Sequence, residues 1–294
     1  MDYVGIGIGL AFAAMLCWGF GDFLIQRSTR AIGEWEALFV VGLVGTIVLS
    51  PFILAKLSQM AAKIGMTGIL VIITACIVLF LAAILDFTAL RVGKLAVIEP
   101  IWSIEIPVAA VFAFFILKEQ LTFMQTAFIL LLMLGLFLVS IRGNLGVKEF
   151  FLEKGVVIAL LAGIIMGGAN FFIGWGARLS DPLLINFVTD IFLVVVTGTY
   201  LFIKGRLRGL PRVIYSNRNL LLPMGVIDKI AWVAFAFAMA LAPISIAVAL
   251  SESYIVVAVI LGLAVNREKL NNHQKFGLVL ATFSAITLAV MTVN

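Results

Sequence analysis

The residues of this chain that can do chemistry are acids set in apolar surroundings. Asp22, Glu99, Glu105, Asp190, Asp228 and Glu252 fall in or beside long aliphatic and aromatic stretches, and one base, Lys229, lies among them. Glu105, Asp190, Asp228 and Glu252 sit deepest in their stretches. An unpaired carboxylate in a low-dielectric medium favours its neutral form. One that alternates between neutral and ionised as water reaches it can bind a cation or carry a proton. Lys229 can pair with Asp190 or Asp228, so these three are also read as a structural ion pair. One lysine does not neutralise four deep acids, which makes Glu105 and Glu252 the candidates for proton coupling. Trp18, Trp102, Trp175, Trp232 and Tyr254 offer flat walls for a planar or cationic ligand, although any one of them suits packing or interface anchoring equally well. By spacing, Trp18 shares a helical face with Asp22, Asn186 with Asp190, and Asp228 with Trp232. The substrate-binding candidates are Trp18, Asp22, Glu99, Trp102, Glu105, Asn170, Asp190, Trp232, Glu252 and Tyr254.

These residues are carried by elements of one kind. Of the 294 residues 64% are hydrophobic and only 12% charged, with a mean hydropathy of +1.23; soluble domains carry roughly 25% charged residues. The apolar residues form blocks of about 20, the length at which a helix crosses the hydrocarbon of a bilayer. The expected class is an all-α integral membrane protein, since a β-barrel needs alternating segments of about 10. Ten spans are predicted: 4–25, 36–55, 66–87, 95–117, 121–141, 155–177, 183–203, 219–240, 244–265 and 273–293. The connections are short, the longest being Lys204 to Arg218. Met1-Asp2-Tyr3 lacks a basic leader, so no cleavable signal peptide is expected. The net charge of +5 sits between spans, where it serves topology and lipid headgroups; no nucleic-acid partner is expected. Cys17 and Cys76 lie within spans and predict no disulfide. His273 stands beside Asn271 and Asn272 without a ligand cluster, so neither metal nor other cofactor is expected. The chain has no Walker phosphate loop, which leaves primary pumping unsupported. Trp35 is expected to anchor at the lipid interface.

Gly19-Phe20-Gly21-Asp22 matches the GxGD pattern of intramembrane aspartyl proteases. Such an enzyme needs a second aspartate sharing a proton with the first, carried by those proteases in a Tyr-Asp pair on the preceding helix. Here the motif falls in the first predicted span, and the glycines are equally explained by close helix contact.

The most unusual span is Val97–Thr122, VIEPIWSIEIPVAAVFAFFILKEQLT. Pro100 and Pro107 favour a break or kink and free carbonyls toward a cavity. On an unbroken helix Glu99 and Trp102 share a face and Glu105 lies about 240° from Glu99, so the two acids are expected to differ in role. A weaker echo follows in Ser251-Glu252-Ser253-Tyr254 and Arg267-Glu268-Lys269-Leu270. The first helices repeat as well: Trp18-Gly19-Phe20-Gly21-Asp22-Phe23 stands opposite Met166-Gly167-Gly168-Ala169-Asn170-Phe171 at an offset of 148, which places Asn170 at the position of Asp22. Residues 1–145 and 146–294 thus read as two five-helix repeats. An odd number of spans inverts the second relative to the first, a recurrent transporter plan with its site near the midplane. Fifteen Lys and Arg residues follow odd-numbered spans and four (Lys56, Lys63, Lys118, Arg178) follow even-numbered ones. The positive-inside rule then puts both termini outside the cytoplasm.

Two five-helix halves, with a basic-Glu-x-Leu turn after each fourth helix, resemble the EamA-type transporters of the drug/metabolite transporter superfamily. The likeness covers nearly the whole chain and rests on Trp18-Gly19, Glu99-Pro100, Lys118-Glu119-Gln120-Leu121-Thr122, Ser251-Glu252-Ser253 and Arg267-Glu268-Lys269-Leu270. Glu99 and Glu119 are farther apart than Glu252 and Glu268, and by spacing Ser103 aligns with Glu252. The resemblance implies cytoplasmic termini, against the charge count, and a secondary carrier whose central cavity opens alternately to each side. It implies a small-molecule substrate: an amino-acid-like, cationic or amphipathic metabolite exported by proton antiport, or a sugar or sugar derivative taken up or exchanged. The surplus of deep acids favours the first. The expected setting is the plasma (inner) membrane of a prokaryote, with membrane lipids as neighbours and a monomer or homodimer as the working unit.

Overall fold

The computed structural model describes residues 3–140, 154–257, 259 and 270–293, with backbone alone at 95, 96, 99 and 100. Every regular element among them is helical. Eight helices are long and apolar enough to cross a membrane: α1 (Tyr3–Ile32), α2 (Glu34–Ile53), α4 (Met66–Val92), α7 (Phe123–Ser140), α8 (Val156–Leu179), α9 (Pro182–Ile203), α11 (Arg218–Leu241) and α13 (Asn272–Val293). Shorter pieces lie between them: α3 (Leu57–Ala61), α5 (Leu95–Trp102), α6 (Glu105–Leu117), α10 (Leu210–Ser216) and α12 (Ile244–Ser251). The chain is thus a multi-pass membrane protein.

Local sequence sets the helix starts. Asp181 accepts from the amides of Leu183 at 2.8 Å and Leu184 at 3.3 Å, and Pro182 fills the first helical position. The cap and the proline together satisfy or remove donors that have no intrahelical partner. Thr122 and Gln125 form a capping box before α7: the Gln125 amide donates to Thr122 Oγ1 at 3.2 Å and the Thr122 amide to Gln125 Oε1 at 2.9 Å. Half of that box recurs before α13, where the Asn271 amide donates to Gln274 Oε1 at 3.0 Å.

Two passages are not single helices. The span predicted over 95–117 breaks at Ser103-Ile104, and the one predicted over 244–265 turns at Glu252-Ser253 and is helical again over 254–257. The aligned residues Ser103 and Glu252 therefore both end an eight-residue helix. Pro107 explains the first break, since a proline four residues on removes the α-helical donor for the Ser103 carbonyl, which accepts from the Ile106 amide at 3.3 Å instead. At the second, the hydroxyls of Ser251 and Ser253 bond back to Val248 and Ala249 carbonyls at 3.0 Å, a substitution that bends helices. The break corrects the single-wheel comparison of Glu99 with Glu105, because the two stand on different helices. The side chain of Glu99, the rest of the second passage and the Arg267-Glu268-Lys269 turn lie outside the described residues.

The halves interleave by exchange. α1 packs along α11, and its counterpart α8 packs along α4; α2 pairs with α9, and α7 with α13. Anchors repeat in the same way. Arg30 donates to the carbonyls of Arg91 and Gly93, and Arg178, 148 residues later, to those of Met239 and Ala242. Glu119, from the family-like turn, crosses to the other half. Its carboxylate accepts from the Ile244 and Ser245 amides at 3.0 Å and from Ser245 Oγ at 2.9 Å, and Arg178 stands 3.5 Å away. Negative charge is favoured at a helix start, so Glu119 fixes where α12 begins. Helices in lipid are held by close packing more than by the hydrophobic effect. A Cβ at Gly167 of α8 would stand 2.8 Å from the Glu105 carbonyl, so only a glycine lets α8 approach the first break this closely. Trp35 stacks on Tyr200 at 3.7 Å.

Candidate functional site

The helix breaks, α1, α4, α8, α9 and α11 converge on a central cavity of about 90 Å³, several times what one water needs. Nine of the ten substrate-binding candidates line it: Trp18, Asp22, Trp102, Glu105, Asn170, Asp190, Trp232, Glu252 and Tyr254. Glu99 alone is left, its side chain outside the description.

On one side the first break aims Glu105 inward, 6% exposed, where Asn170 Nδ2 donates to its Oε2 at 2.8 Å. The repeat position of Asp22 is thus occupied by an amide that holds an acid. Asp22 itself lines the same cavity, as does Tyr254. Glu252 enters from the second break, 5% exposed. Trp18 meets Trp232 edge to face at 5.4 Å, and both pack on Phe235. Trp175 does not join this wall but packs on Phe171 and Phe172.

Lys229 Nζ donates to Asp190 Oδ1 at 2.7 Å and to Asn186 Oδ1 at 3.5 Å. Asn186 is held by its own amide, which donates to the Pro182 carbonyl at 2.9 Å. The ion-pair expectation therefore resolves onto Asp190; Asp228 forms no ion pair among the described residues, and its Oδ2 has no hydrogen-bond partner. Gly45 of α2 makes room for the pair, since a Cβ there would stand 2.5 Å from Lys229 Cε.

Sequence reasoning missed two contributors. Asp86 lines the cavity, and its Oδ1 has no partner. The span predicted over 66–87 puts it at the span's edge, whereas α4 continues to Val92. Gly45 carries no chemistry and gave no signal. Six carboxylates (Asp22, Asp86, Glu105, Asp190, Asp228 and Glu252) thus face one ammonium, which is already committed to Asp190. The Trp102 Nε1 and Asn170 Oδ1 atoms are buried without partners beside them. No group of three His, Cys, Asp or Glu suited to a metal occurs among the described residues.

Comparison with known proteins bears on the whole chain. A solved structure titled only as the crystal structure of a protein aligns over 97% of each chain with a TM-score of 0.73 at 16% identity, a likeness of fold alone. A search of curated proteins gives no match. The model of the EamA-like transporter family matches residues 5–141 and again 153–290. The chain belongs to the EamA-like transporter family, whose members are membrane transporters of small molecules.

Proposed function

We propose that the chain is a secondary carrier of a small metabolite bearing at least one positive charge, amino-acid-like, cationic or amphipathic, exported in exchange for protons. The observation that carries this reading is the charge of the cavity wall: six carboxylates against one lysine that is itself paired. A cation entering such a site gains attraction in a medium of low dielectric, while an anion meets repulsion with no guanidinium to receive it. The aromatic wall of Trp18 and Trp232 suits the organic part of a cation. Loading and release then alternate with protonation of the same acids, with Glu105 and Glu252 at the two helix breaks as the coupling residues.

The ten-passage plan enters as part of this proposal, eight unbroken helices and two broken passages arranged as inverted halves. Inversion places equivalent breaks on opposite sides of one site, the arrangement alternating access needs. The test is reconstitution in proteoliposomes. An imposed proton gradient should drive uptake or release of a cationic amine and leave an anionic analogue of the same scaffold untransported. Preference for the anion would remove the proposal.

A further inference from the structure

A second cavity, about 540 Å³, lies away from the central site, between α2, the start of α11 and the connection between α9 and α11. Its walls are apolar: Phe39 and Leu43 of α2, Leu210, Pro211 and Ile214 of the connection, and Leu222 of α11. α10 crosses it with Leu210 buried, 3% exposed, and Arg212 exposed.

The rim is cationic. Lys204, Arg206, Arg208, Arg212 and Arg218 fall in a segment with no acid between Asp190 and Asp228. Arg206 is spent on Glu36 at 2.6 Å. Arg208 and Arg212 are exposed and make no ion pair among the described residues. Arg218 borders the cavity and is held in place, its guanidinium 4.5 Å from the Tyr215 ring centroid and its Nη1 donating to the Tyr215 carbonyl at 3.0 Å. At the end of α9, Phe202 and Ile203 stand 72% and 74% exposed, as side chains facing hydrocarbon do. An apolar slot bordered by Arg218, with the exposed Arg208 and Arg212 next in sequence to its lining residues Leu207 and Pro211, matches a molecule with an acyl chain and a phosphate. Arginine is suited to phosphate by its fixed fork of donors, and basic residues at the headgroup level attract anionic lipid.

We propose that this groove binds one anionic glycerophospholipid, an acyl chain lying along Phe39, Leu43 and Ile214 and the phosphate diester resting on Arg208, Arg212 and Arg218. The site is separate from the transport cavity and does not depend on what that cavity carries. The experiment is lipid titration of the delipidated full-length protein in neutral detergent, read by native mass spectrometry. The probes are phosphatidylglycerol, phosphatidylcholine with the same acyl chains, and water-soluble glycerol phosphate. The expected result is one retained phosphatidylglycerol, weak phosphatidylcholine binding and no retained glycerol phosphate. R208Q/R212Q/R218Q should lower phosphatidylglycerol affinity by on the order of 100-fold with little change for phosphatidylcholine. Ile214→Trp, which narrows the groove and keeps every charge, should weaken phosphatidylglycerol as well, and it serves if the triple variant does not fold. Equal retention of the two lipids, binding of glycerol phosphate as strong as that of the lipid, or an Ile214→Trp variant that binds like the native chain would overturn the assignment.

Discussion

Replacing Lys229 by Met isolates the energetics of the central ion pair. Lys229 and Asp190 have side chains 4% and 2% exposed and meet at 2.7 Å, with Asn186 as the only other acceptor for the ammonium at 3.5 Å among the described residues. Asp190 Oδ2 already lacks a partner, so removal of the lysine leaves a carboxylate with neither charge compensation nor a strong donor. Breaking a buried pair from one side costs about 3–5 kcal/mol, which for a chain of this size lowers the unfolding midpoint by on the order of 10 °C. Replacing both partners, Asp190→Leu with Lys229→Met, leaves no orphaned charge and should recover most of the loss, because apolar replacement of a whole buried pair is near neutral. Cys76, 4% exposed, provides the reporter. In a Cys17→Ser background its reaction with a thiol-directed dye marks unfolding in detergent. A Lys229→Met variant as stable as the parent, or a double variant that loses the sum of the single losses, would refute the pairing drawn here.

Gly45→Ala probes the same pair by volume instead of charge. The added methyl meets Lys229 Cε at 2.5 Å and should cost about 1–3 kcal/mol as an overpacked contact, measured by the same dye assay; a neutral effect would mean that α2 does not bear on the pair. Glu119→Ala removes the acceptor for the Ile244 and Ser245 amides and should cost about 1–2 kcal/mol, with hydrogen exchange rising first at those two amides. Unchanged protection there would count against Glu119 as the residue that sets the start of α12.

Much of the fold was legible because lipid makes hydrophobic length a direct signal. Each of the eight long helices coincides with a predicted span, and the offset of 148 between Trp18 and Met166 reappears as the exchanged pairing of α1 with α11 and α8 with α4. The breaks were only half legible. Pro107 announces the first, but the second depends on serine back-bonding at 251 and 253, residues that many unbroken helices also contain. The deep acids were visible as exceptions in apolar text, which is why nine named candidates meet at one cavity. Asp86 escaped because a span boundary drawn five residues short turned an interior acid into a terminal one. Which acid takes Lys229 was not legible at all. Asp190 and Asp228 are equally plausible in sequence, and the structure gives Lys229 to Asp190 at 2.7 Å. The role of Glu119 was hidden for a related reason: a turn motif does not say which helix start lies opposite it.

The claim that matters most is that buried carboxylates couple the movement of a cationic substrate to protons. Its most direct measurement is proton-gradient-driven flux of a transported cationic amine in proteoliposomes, comparing the native chain with Glu105→Gln/Glu252→Gln. Glutamine keeps the size of both side chains and can still accept from Asn170, so folding and insertion should be preserved. The account predicts that the imposed proton gradient no longer accelerates flux in the double variant. Gradient-driven flux at the native rate in that variant would contradict it.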